Sequence, residues 1–399
     1  MKIKNLHIKE FKGLRDISIN FEKNDKPLDL VVLAGSNGSG KTRVLESILD
    51  YFQKIVNHIE NENVAGVFFE TDEQNCLNQG YNSNMLYLIL NNYNDENIVE
   101  RGRKVVEENL KVFPKIIYVP TETNFQKVEI ASPMLVREYK FLNIVDTGLI
   151  KDVPSYIATR IIEMANDQED TPMQEIRTAV FKEINEIFEI LDLDIKISGI
   201  SKNAKSIPIF TNSSGDKFDI NELSSGEKQL FLRTLAIKML NPENSIILID
   251  EPELSLHPKW QQRIVDVYRK IGKNNQIIIA THSPHILGSV KKDNIMLLDK
   301  DDDGKIVVRT GDELYDSYGQ PTERILEDIM GLKTTRNQEI FDKLEKIREM
   351  VNEDKYETDD FKKEYGDLKE ILGTMDEDIM LIDMEIQIRR KGLKNVKNK

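Results

Sequence analysis

The chain has 399 residues, of which 39% are hydrophobic and 31% charged, and its formal net charge is −14. This length allows two or three domains, or one large domain with insertions. The chain contains no apolar run of about eighteen residues and no signal-peptide core at its N-terminus, so we expect no membrane span and no export. A single cysteine, Cys76, excludes an internal disulfide framework and fits a reducing cytoplasmic compartment.

The acidic balance argues against non-specific nucleic-acid binding by the whole surface. The charge is nevertheless uneven, because residues 2–15 and 389–399 are both basic. Each basic segment is either a solvated end or a contact for nucleic acid.

The first 50 residues predict two half-buried strands, a buried strand and a helix. Alternating residues at 2–8 and 16–21 surround a Lys-Gly turn, and residues 28–34 are nearly all apolar, as in a strand covered on both faces. An eight-residue loop follows and has the pattern G-x-x-x-x-G-K-T between a strand and a helix. Its residues are Gly35, Ser36, Asn37, Gly38, Ser39, Gly40, Lys41 and Thr42.

Each residue type in this loop suits a nucleoside triphosphate. Glycines let the backbone wrap a phosphate with its N–H groups pointing inward. Lys41 supplies a charge for the β- and γ-phosphates, and Thr42 supplies a hydroxyl for Mg²⁺. The loop therefore predicts an ATP site.

The middle of the chain is less informative. Asn-rich loops surround short strands between residues 52 and 115, and residues 115–119 predict another buried strand. Glu122 and Gln126 follow that strand and are either nucleotide sensors or residues of a plain loop. Residues 134–192 have a helical pattern, and 195–200 with 207–211 predict a hairpin.

The segment Leu223–Gln229, LSSGEKQ, precedes an amphipathic run and has the form of a loop that opens a helix. Backbone N–H groups and serine hydroxyls at a helix start suit a phosphate, which makes Ser225 and Gly226 candidate ligands. An ordinary capped helix would have the same sequence pattern.

Two later strands end in polar residues. Residues 246–249 are aliphatic and are followed by Asp250 and Glu251, so the acids are expected at the carboxyl end of a central strand, where ligands bind. Asp250 would orient Mg²⁺, and Glu251 would activate the attacking water as a general base. After a helix predicted from Trp260 to Ile271, the strand 276–280 leads to His282, which could reach the γ-phosphate and that water.

The C-terminal part predicts a hairpin at 295–309 followed by three amphipathic helices. The acidic cluster 301–303 in the hairpin is either a metal site or a turn, and Asp-Asp-Gly is first of all a turn signal. The charged outer faces of the helices favour a packed helical subdomain.

Four segments resemble the motifs of the ABC-type ATPases, and more narrowly those of the SMC, RecF and OLD lineage. They are GSNGSGKT (35–42), LSSGEKQ (223–229), ILIDEPELSLHP (247–258) and ATHSP (280–284). The resemblance implies an α/β P-loop head with a mixed sheet, a helical insertion between the phosphate loop and the signature motif, and a C-terminal helical subdomain. The expected boundaries are 1–130 and 200–310 for the discontinuous head, 131–199 for the insertion and 311–399 for the subdomain.

In that family, two ATP molecules with Mg²⁺ are held between two heads. The resemblance implies that Ser225 and Gly226 contact the nucleotide of the other chain, in a homodimer or a larger oligomer. Residues 317–319, 325–331 and the helices after Arg336 resemble the PtuA-type ATPases of the Septu and retron antiphage systems. Because too few residues follow His282 for a Toprim nuclease domain, the resemblance implies a separate nuclease partner of the HNH type.

Two other functions stay open on the sequence alone. A RecF- or SMC-like DNA-repair ATPase would bind DNA with a steep salt dependence. A nucleotide-binding subunit of an ABC transporter would share the core motifs but require a membrane partner.

Overall fold

The structure is a computed structural model that describes residues 1–56, 64–70, 114–121, 140–201, 207–301 and 303–397. Cys76, Glu122 and Gln126 lie outside these ranges. The described strands are β1 Lys2–Phe11, β2 Leu14–Asn20, β3 Glu22–Lys23, β4 Lys26–Pro27, β5 Leu30–Ala34, β6 Val64–Glu70, β7 Ile116–Val119, β8 Leu142–Ile144, β9 Ile195–Ile200, β10 Pro208–Asn212, β11 Lys217–Asp219, β12 Ile246–Asp250, β13 Gln276–Ala280, β14 Ile295–Lys300 and β15 Ile306–Thr310.

The helices range from one turn to six. Those described are α1 Lys41–Val56, α2 Thr147–Asp167, α3 Met173–Leu191, α4 Ser225–Met239, α5 Pro258–Gln261, α6 Ile264–Arg269, α7 Pro284–Leu287, α8 Thr322–Arg324, α9 Gln338–Asn352, α10 Asp359–Leu372 and α11 Glu377–Lys397.

A seven-stranded sheet in the order β15-β14-β5-β13-β12-β7-β8 organises the larger part of the molecule. Strands from β14 to β8 run parallel, and β15 joins β14 antiparallel, so the sheet is mixed as predicted. Every residue of β5, β12 and β13 is buried, which explains their nearly continuous aliphatic sequences. The fold is the expected α/β P-loop head.

A second sheet, β2-β1-β6, closes the core around α1. The predicted hairpin of β1 and β2 is confirmed, and its turn contains Lys12 and Gly13 with φ of 46° and 88°. Apolar side chains of this sheet, of α1 and of β5 form one cluster with β12 and β13, among them Leu6, Val44 and Leu248. This packing fixes α1, and with it the loop that precedes it, against the central sheet.

The helical segment before the signature motif is also present. Ile176, Val180 and Ile184 of α3 are buried on one face, as the sequence periodicity predicted. The predicted hairpin is part of a three-stranded sheet, β11-β10-β9, because residues 217–219 add a short strand that sequence alone did not indicate.

The single helix predicted from Trp260 to Ile271 is wrong. Two short helices, α5 and α6, replace it, and Arg263 between them has a φ of −117°. The Gln261 side chain, which bonds to the Leu256 carbonyl and to the Ser283 hydroxyl, ties the end of α5 to neighbouring loops. These tertiary hydrogen bonds override a pattern that is helical by periodicity.

The chain divides into two compact units, Met1–Ile325 and Leu326–Lys399. The second unit therefore begins later than the predicted boundary at 311. The reason is that Ser317 donates to the Val290 carbonyl and Gly319 to the Gly288 carbonyl, which keeps this segment on the head. The second unit contains the three predicted helices, α9, α10 and α11, around its own apolar core.

The acidic hairpin tip acts as a turn. Asp301 accepts hydrogen bonds from the backbone N–H groups of Asp303 and Lys305, and Gly304 has a φ of 76°. Within the described ranges, no three acidic, histidine or cysteine side chains come together as a metal site. None of the helices described there is long and apolar enough to cross a membrane.

Candidate active site

The phosphate loop joins β5 to α1 and needs its glycines for conformation. Gly35, Gly38 and Gly40 have φ of 143°, 79° and 100°, which side-chain-bearing residues rarely adopt. A Cβ on Gly35 would also lie 2.3 Å from the Leu298 carbonyl oxygen. The loop therefore curls tightly at the carboxyl end of β5, with its backbone at the start of a sixteen-residue helix.

Lys41 lies inside this curl and is 5% exposed. Its Nζ donates to the carbonyls of Gly35 and Ser36, both at 2.9 Å. Burial lowers the pKa of Lys41, and the nearby carboxylates of Glu251, Glu253 and Asp250 oppose this shift. The lysine is thus electrostatically linked to the acids at the end of β12.

Thr42 and Asp250 meet across the sheet. The Thr42 hydroxyl donates to Asp250 Oδ1 at 3.0 Å, although 208 residues separate the two in sequence. Burial raises the pKa of Asp250, and hydrogen bonds from Thr121 and Thr42 lower it. One hydroxyl and one carboxylate fit Mg²⁺, which usually takes one or two protein oxygens together with substrate phosphates.

Glu251 and His282 lie side by side at the ends of β12 and β13. His282 Nδ1 is 3.4 Å from Glu251 Oε1 and 3.5 Å from Glu253 Oε1. The backbone of Glu251 has a φ of 44°, and its N–H donates to the Ala280 carbonyl at 2.9 Å. This bond joins the ends of the two strands.

A cavity of about 260 Å³ opens over the phosphate loop. Glu251 is the carboxylate that lines it, and Arg43, which the sequence analysis did not single out, supplies a second cation beside Lys41. The only sequence signal for Arg43 was its position directly after the Gly-Lys-Thr triplet. A polar cavity with two cations and one carboxylate suits a phosphate chain and a water that attacks it.

Glu253 lies in this site, and the sequence analysis did not single it out. Its Oε1 accepts hydrogen bonds from the Thr281 hydroxyl at 2.7 Å and from the His282 N–H at 3.0 Å. It therefore fixes the backbone that carries His282. The available signal was a third acid two residues beyond Glu251 in the same motif.

Arg233 of α4 is the second missed residue, and it is 1% exposed. Its guanidinium donates to the carbonyl of Glu251 at 3.1 Å, and to those of Pro120 and Thr121 at 3.1 and 3.2 Å. Burial lowers the pKa of Arg233, while Tyr268 and the acids of the site raise it. An arginine within the run 230–237, where every other residue except Thr234 is apolar, was the signal that could have found it.

The segment LSSGEKQ opens helix α4, as predicted. Ser224 caps the helix by accepting from the Glu227 N–H at 3.3 Å, while Glu227 Oε2 accepts from the Ser224 N–H at 3.0 Å. Gly226 is required for packing, because a Cβ there would lie 2.7 Å from the Ser255 carbonyl oxygen. Ser225 is exposed.

The structure brings most of the predicted site residues together at one edge of the sheet. Lys41, Thr42, Asp250, Glu251 and His282 meet at the carboxyl ends of three neighbouring strands, β5, β13 and β12. Ser225 and Gly226 do not line the cavity over the phosphate loop.

Most cations of the basic N-terminal segment are paired with acids, while Lys9 is exposed. Four of its side chains have acidic partners in the described structure: Lys2 with Asp29, Lys4 with Glu22, Lys12 with Glu46, and Arg15 with Glu10. These partners reduce the charge available for nucleic acid at this end.

Several known proteins are similar to this chain in sequence. The family model described as "AAA ATPase domain" matches residues 1–141, and an AAA domain model whose description refers to AbiEii toxins of type IV toxin–antitoxin systems matches residues 128–288. "Septu protein PtuA" of Bacillus thuringiensis is 28% identical over 88% of this chain and 91% of its own length. "Retron Vc95 probable ATPase" of Vibrio cholerae serotype O1 biovar El Tor is 23% identical over 75% of this chain and 74% of its own length.

Two further similarities are weaker: one covers a smaller part of the chain, and the other is a solved structure that superposes less closely. "DNA double-strand break repair Rad50 ATPase" of Sulfolobus acidocaldarius is 31% identical over 29% of this chain and 13% of its own length. A solved SMC head bound to the C-terminal winged-helix domain of ScpA covers 78% of this chain and 99% of its own, at 18% identity and a TM-score of 0.44.

The chain is similar to AAA-type ATPases over residues 1–288, where the two family models match. The Septu and retron ATPases are similar to it over most of its length.

Proposed function

We propose that the head binds ATP with Mg²⁺ and hydrolyses it at the site formed by Lys41, Thr42, Asp250, Glu251 and His282. The observation that carries this proposal is the hydrogen bond between Thr42 and Asp250, which joins the phosphate loop to the acids of β12. Lys41 and the loop N–H groups would hold the β- and γ-phosphates, and Thr42 and Asp250 would hold the metal ion. Bound Mg²⁺ neutralises charge on the phosphate oxygens.

Glu251 is proposed as the general base. It accepts a proton from water as the water oxygen attacks the γ-phosphorus, and the bond from that phosphorus to the bridging oxygen of ADP breaks. His282, 3.4 Å from Glu251, orients the glutamate and contacts the γ-phosphate. Positioned proton transfer of this kind contributes about 10²–10⁴-fold in rate.

Glu251→Gln tests this assignment, since the amide keeps the shape but cannot accept the proton. We expect turnover to fall at least about 100-fold, while ATP affinity stays within about threefold of wild type. Turnover is measured as phosphate release, and ATP affinity is measured as binding of a fluorescent ATP analogue. Hydrolysis at the wild-type rate would contradict Glu251 as the base.

We further propose that Ser225 and Gly226 contact the nucleotide of a second copy, so that ATP binding produces a dimer of heads. Ser225 is exposed at the start of α4, where N–H groups and the helix dipole attract an anion.

Ser225→Arg in the Glu251→Gln background tests the dimer. The bulky cation is expected to prevent ATP-induced dimerisation, measured by analytical ultracentrifugation, and to leave ATP binding by the monomer intact. Ser214→Arg introduces the same side chain at another exposed serine and serves as the matched control. If the Ser225 variant still dimerises with ATP as the control does, the signature loop is not at the interface.

The biological role we propose is the ATPase and sensor subunit of an antiphage system that controls a partner nuclease of the HNH type. The similarity to Septu PtuA over most of both chains supports this role. The test is co-purification of the chain with the products of neighbouring genes, followed by a nuclease assay with and without ATP. An isolated gene whose product binds no nuclease would contradict the proposal.

A DNA-repair ATPase is the second candidate, favoured by the partial similarity to Rad50. It predicts DNA binding that weakens steeply between low and physiological salt. The paired N-terminal cations argue against this candidate.

A further inference from the structure

Helix α11 in the C-terminal unit has two apolar faces. Ile379, Ile382 and Ile386 are buried in the core of that unit. Four other apolar residues of the helix are exposed: Met380 at 45%, Leu381 at 55%, Met384 at 57% and Ile388 at 68%. We call these four the outer stripe.

The outer stripe lies on the side of the helix opposite the core residues. At about 100° per residue, the centres of the two sets are about half a turn apart. The stripe's spacing of three to four residues is that of the seam between two paired helices. A helix that is apolar on both sides needs two partners, and the core of the unit supplies only one.

Two charges mark the ends of this stripe. Glu377 and Lys391 lie on the same face, and each is seven residues from Met384. Neither has an ion-pair partner in the part of the chain that the structure describes. By contrast, Asp378 is bound by arginines of its own unit, and Asp383 by Lys369.

We propose that α11 pairs antiparallel with α11 of a second copy of this chain, around a two-fold axis at Met384. In this arrangement Glu377 faces Lys391 of the second copy at both ends, and Met380 faces Ile388. Parallel pairing would instead bring glutamate to glutamate and lysine to lysine, which is unfavourable. Antiparallel helix dipoles also favour this direction.

This interface is self-complementary and does not rest on the proposed ATP-dependent dimer. A short two-helix seam lies at the small end of specific interfaces, so the association is expected to be weak by itself. If the heads also pair through ATP, each chain has two different two-fold interfaces, and such chains assemble into species larger than dimers.

Charge reversal in the full-length chain tests the proposal. Self-association is measured by sedimentation at high protein concentration in the absence of nucleotide. Glu377→Lys and Lys391→Glu should each weaken self-association about tenfold or more, because each creates two like-charged pairs. An equimolar mixture of the two single variants should associate like wild type, since every facing pair is then opposite in charge. The double variant Glu377→Lys/Lys391→Glu should also be restored.

Lys363→Glu is the matched control, because it makes the same charge change on an exposed part of α10 away from the outer stripe. It should leave the association unchanged. Helix content measured by circular dichroism confirms that each variant folds. Three outcomes would overturn the pairing of two copies. They are self-association of wild-type affinity in both single variants, a mixture whose self-association does not recover, and a wild-type chain that is monomeric at these concentrations.

A crosslink gives a second, independent readout. Met384→Cys, made together with Cys76→Ser to remove the natural thiol, places one thiol per chain at the proposed axis. A disulfide-linked dimer should form rapidly under mild oxidation. Cysteine at Lys363 in place of Met384 should crosslink at least tenfold more slowly, and equal rates would overturn the proposed register.

Discussion

Arg233 places a guanidinium where almost no solvent reaches it, at 1% exposure. A buried charge is tolerated only when hydrogen bonds compensate for lost hydration. Here the acceptors are carbonyls at the end of β7 and at Glu251. The arginine therefore acts as a positioning residue: it connects the signature helix to the backbone of the proposed base.

Arg233→Met is expected to lower kcat for ATP about tenfold or more while ATP binding stays within about threefold, because Glu251 loses its backbone anchor. Removing one partner of a buried charged network also destabilises the fold by about 3 kcal/mol. Single-turnover kinetics and thermal unfolding measure the two effects. A purely structural role would lower the melting temperature alone. Arg269→Met, at an exposed arginine, is the control.

At the scale of elements, Lys115 at the start of β7 is fully buried. Its Nζ donates to the Asn241 carbonyl at 3.2 Å. Burial lowers the pKa of Lys115 from 10.5 to about 8, and Glu243 opposes the shift. Between pH 8 and 10.5 the unfolded chain keeps a proton that the folded chain has lost, so this lysine makes stability rise with pH across that window.

Lys115→Met should remove this dependence. Relative to wild type, the variant's free energy of unfolding should fall by about 2 kcal/mol between pH 8 and pH 9.5, since one pKa unit corresponds to about 1.4 kcal/mol. Urea denaturation at the two pH values measures it. Lys270→Met, at an exposed lysine, is the control and should show no such difference. If the free energies of unfolding of Lys115→Met and wild type change with pH in parallel, the lowered pKa of Lys115 is refuted.

Elements with strong local signals could be predicted from sequence. Buried strand β5 is aliphatic throughout and β12 is aliphatic up to Asp250, and the helix at LSSGEKQ has its own capping residues. The break between α5 and α6 could not be predicted, because it depends on hydrogen bonds of the Gln261 side chain with Leu256 in the preceding loop and with Ser283 beyond β13. The three residues of β11 are too few to show a period.

In the candidate site, too, the residues with strong local sequence signals could be predicted, and those that act through long-range contacts could not. Lys41, Thr42, Asp250, Glu251 and His282 stood out because each follows a recognisable strand. Arg233 and Glu253 act on backbone groups far away in sequence, and only the folded chain shows which groups those are.

At the scale of the whole molecule, the head and the C-terminal unit each have a core of their own. Leu368→Ala, in the core of the second unit, should cost about 2–5 kcal/mol and lower the unfolding transition of that unit. Mg²⁺ with ATP should raise the transition of the head. Calorimetry of the variant with and without ATP measures both, and Ile371→Ala, at an exposed position of the same helix, is the control.

The order of strands in the central sheet has a consequence for synthesis. Strand β5 is bordered by β13 and β14, both of which the ribosome delivers more than 200 residues later. Until then a fully aliphatic strand has two unpaired edges, which can pair with other chains. We therefore expect nascent chains to depend on chaperones and to bind ATP only after His282 has emerged from the ribosome. Ribosome-stalled chains of increasing length can test this, because ATP should protect a chain from protease only when the chain is long enough to bind it.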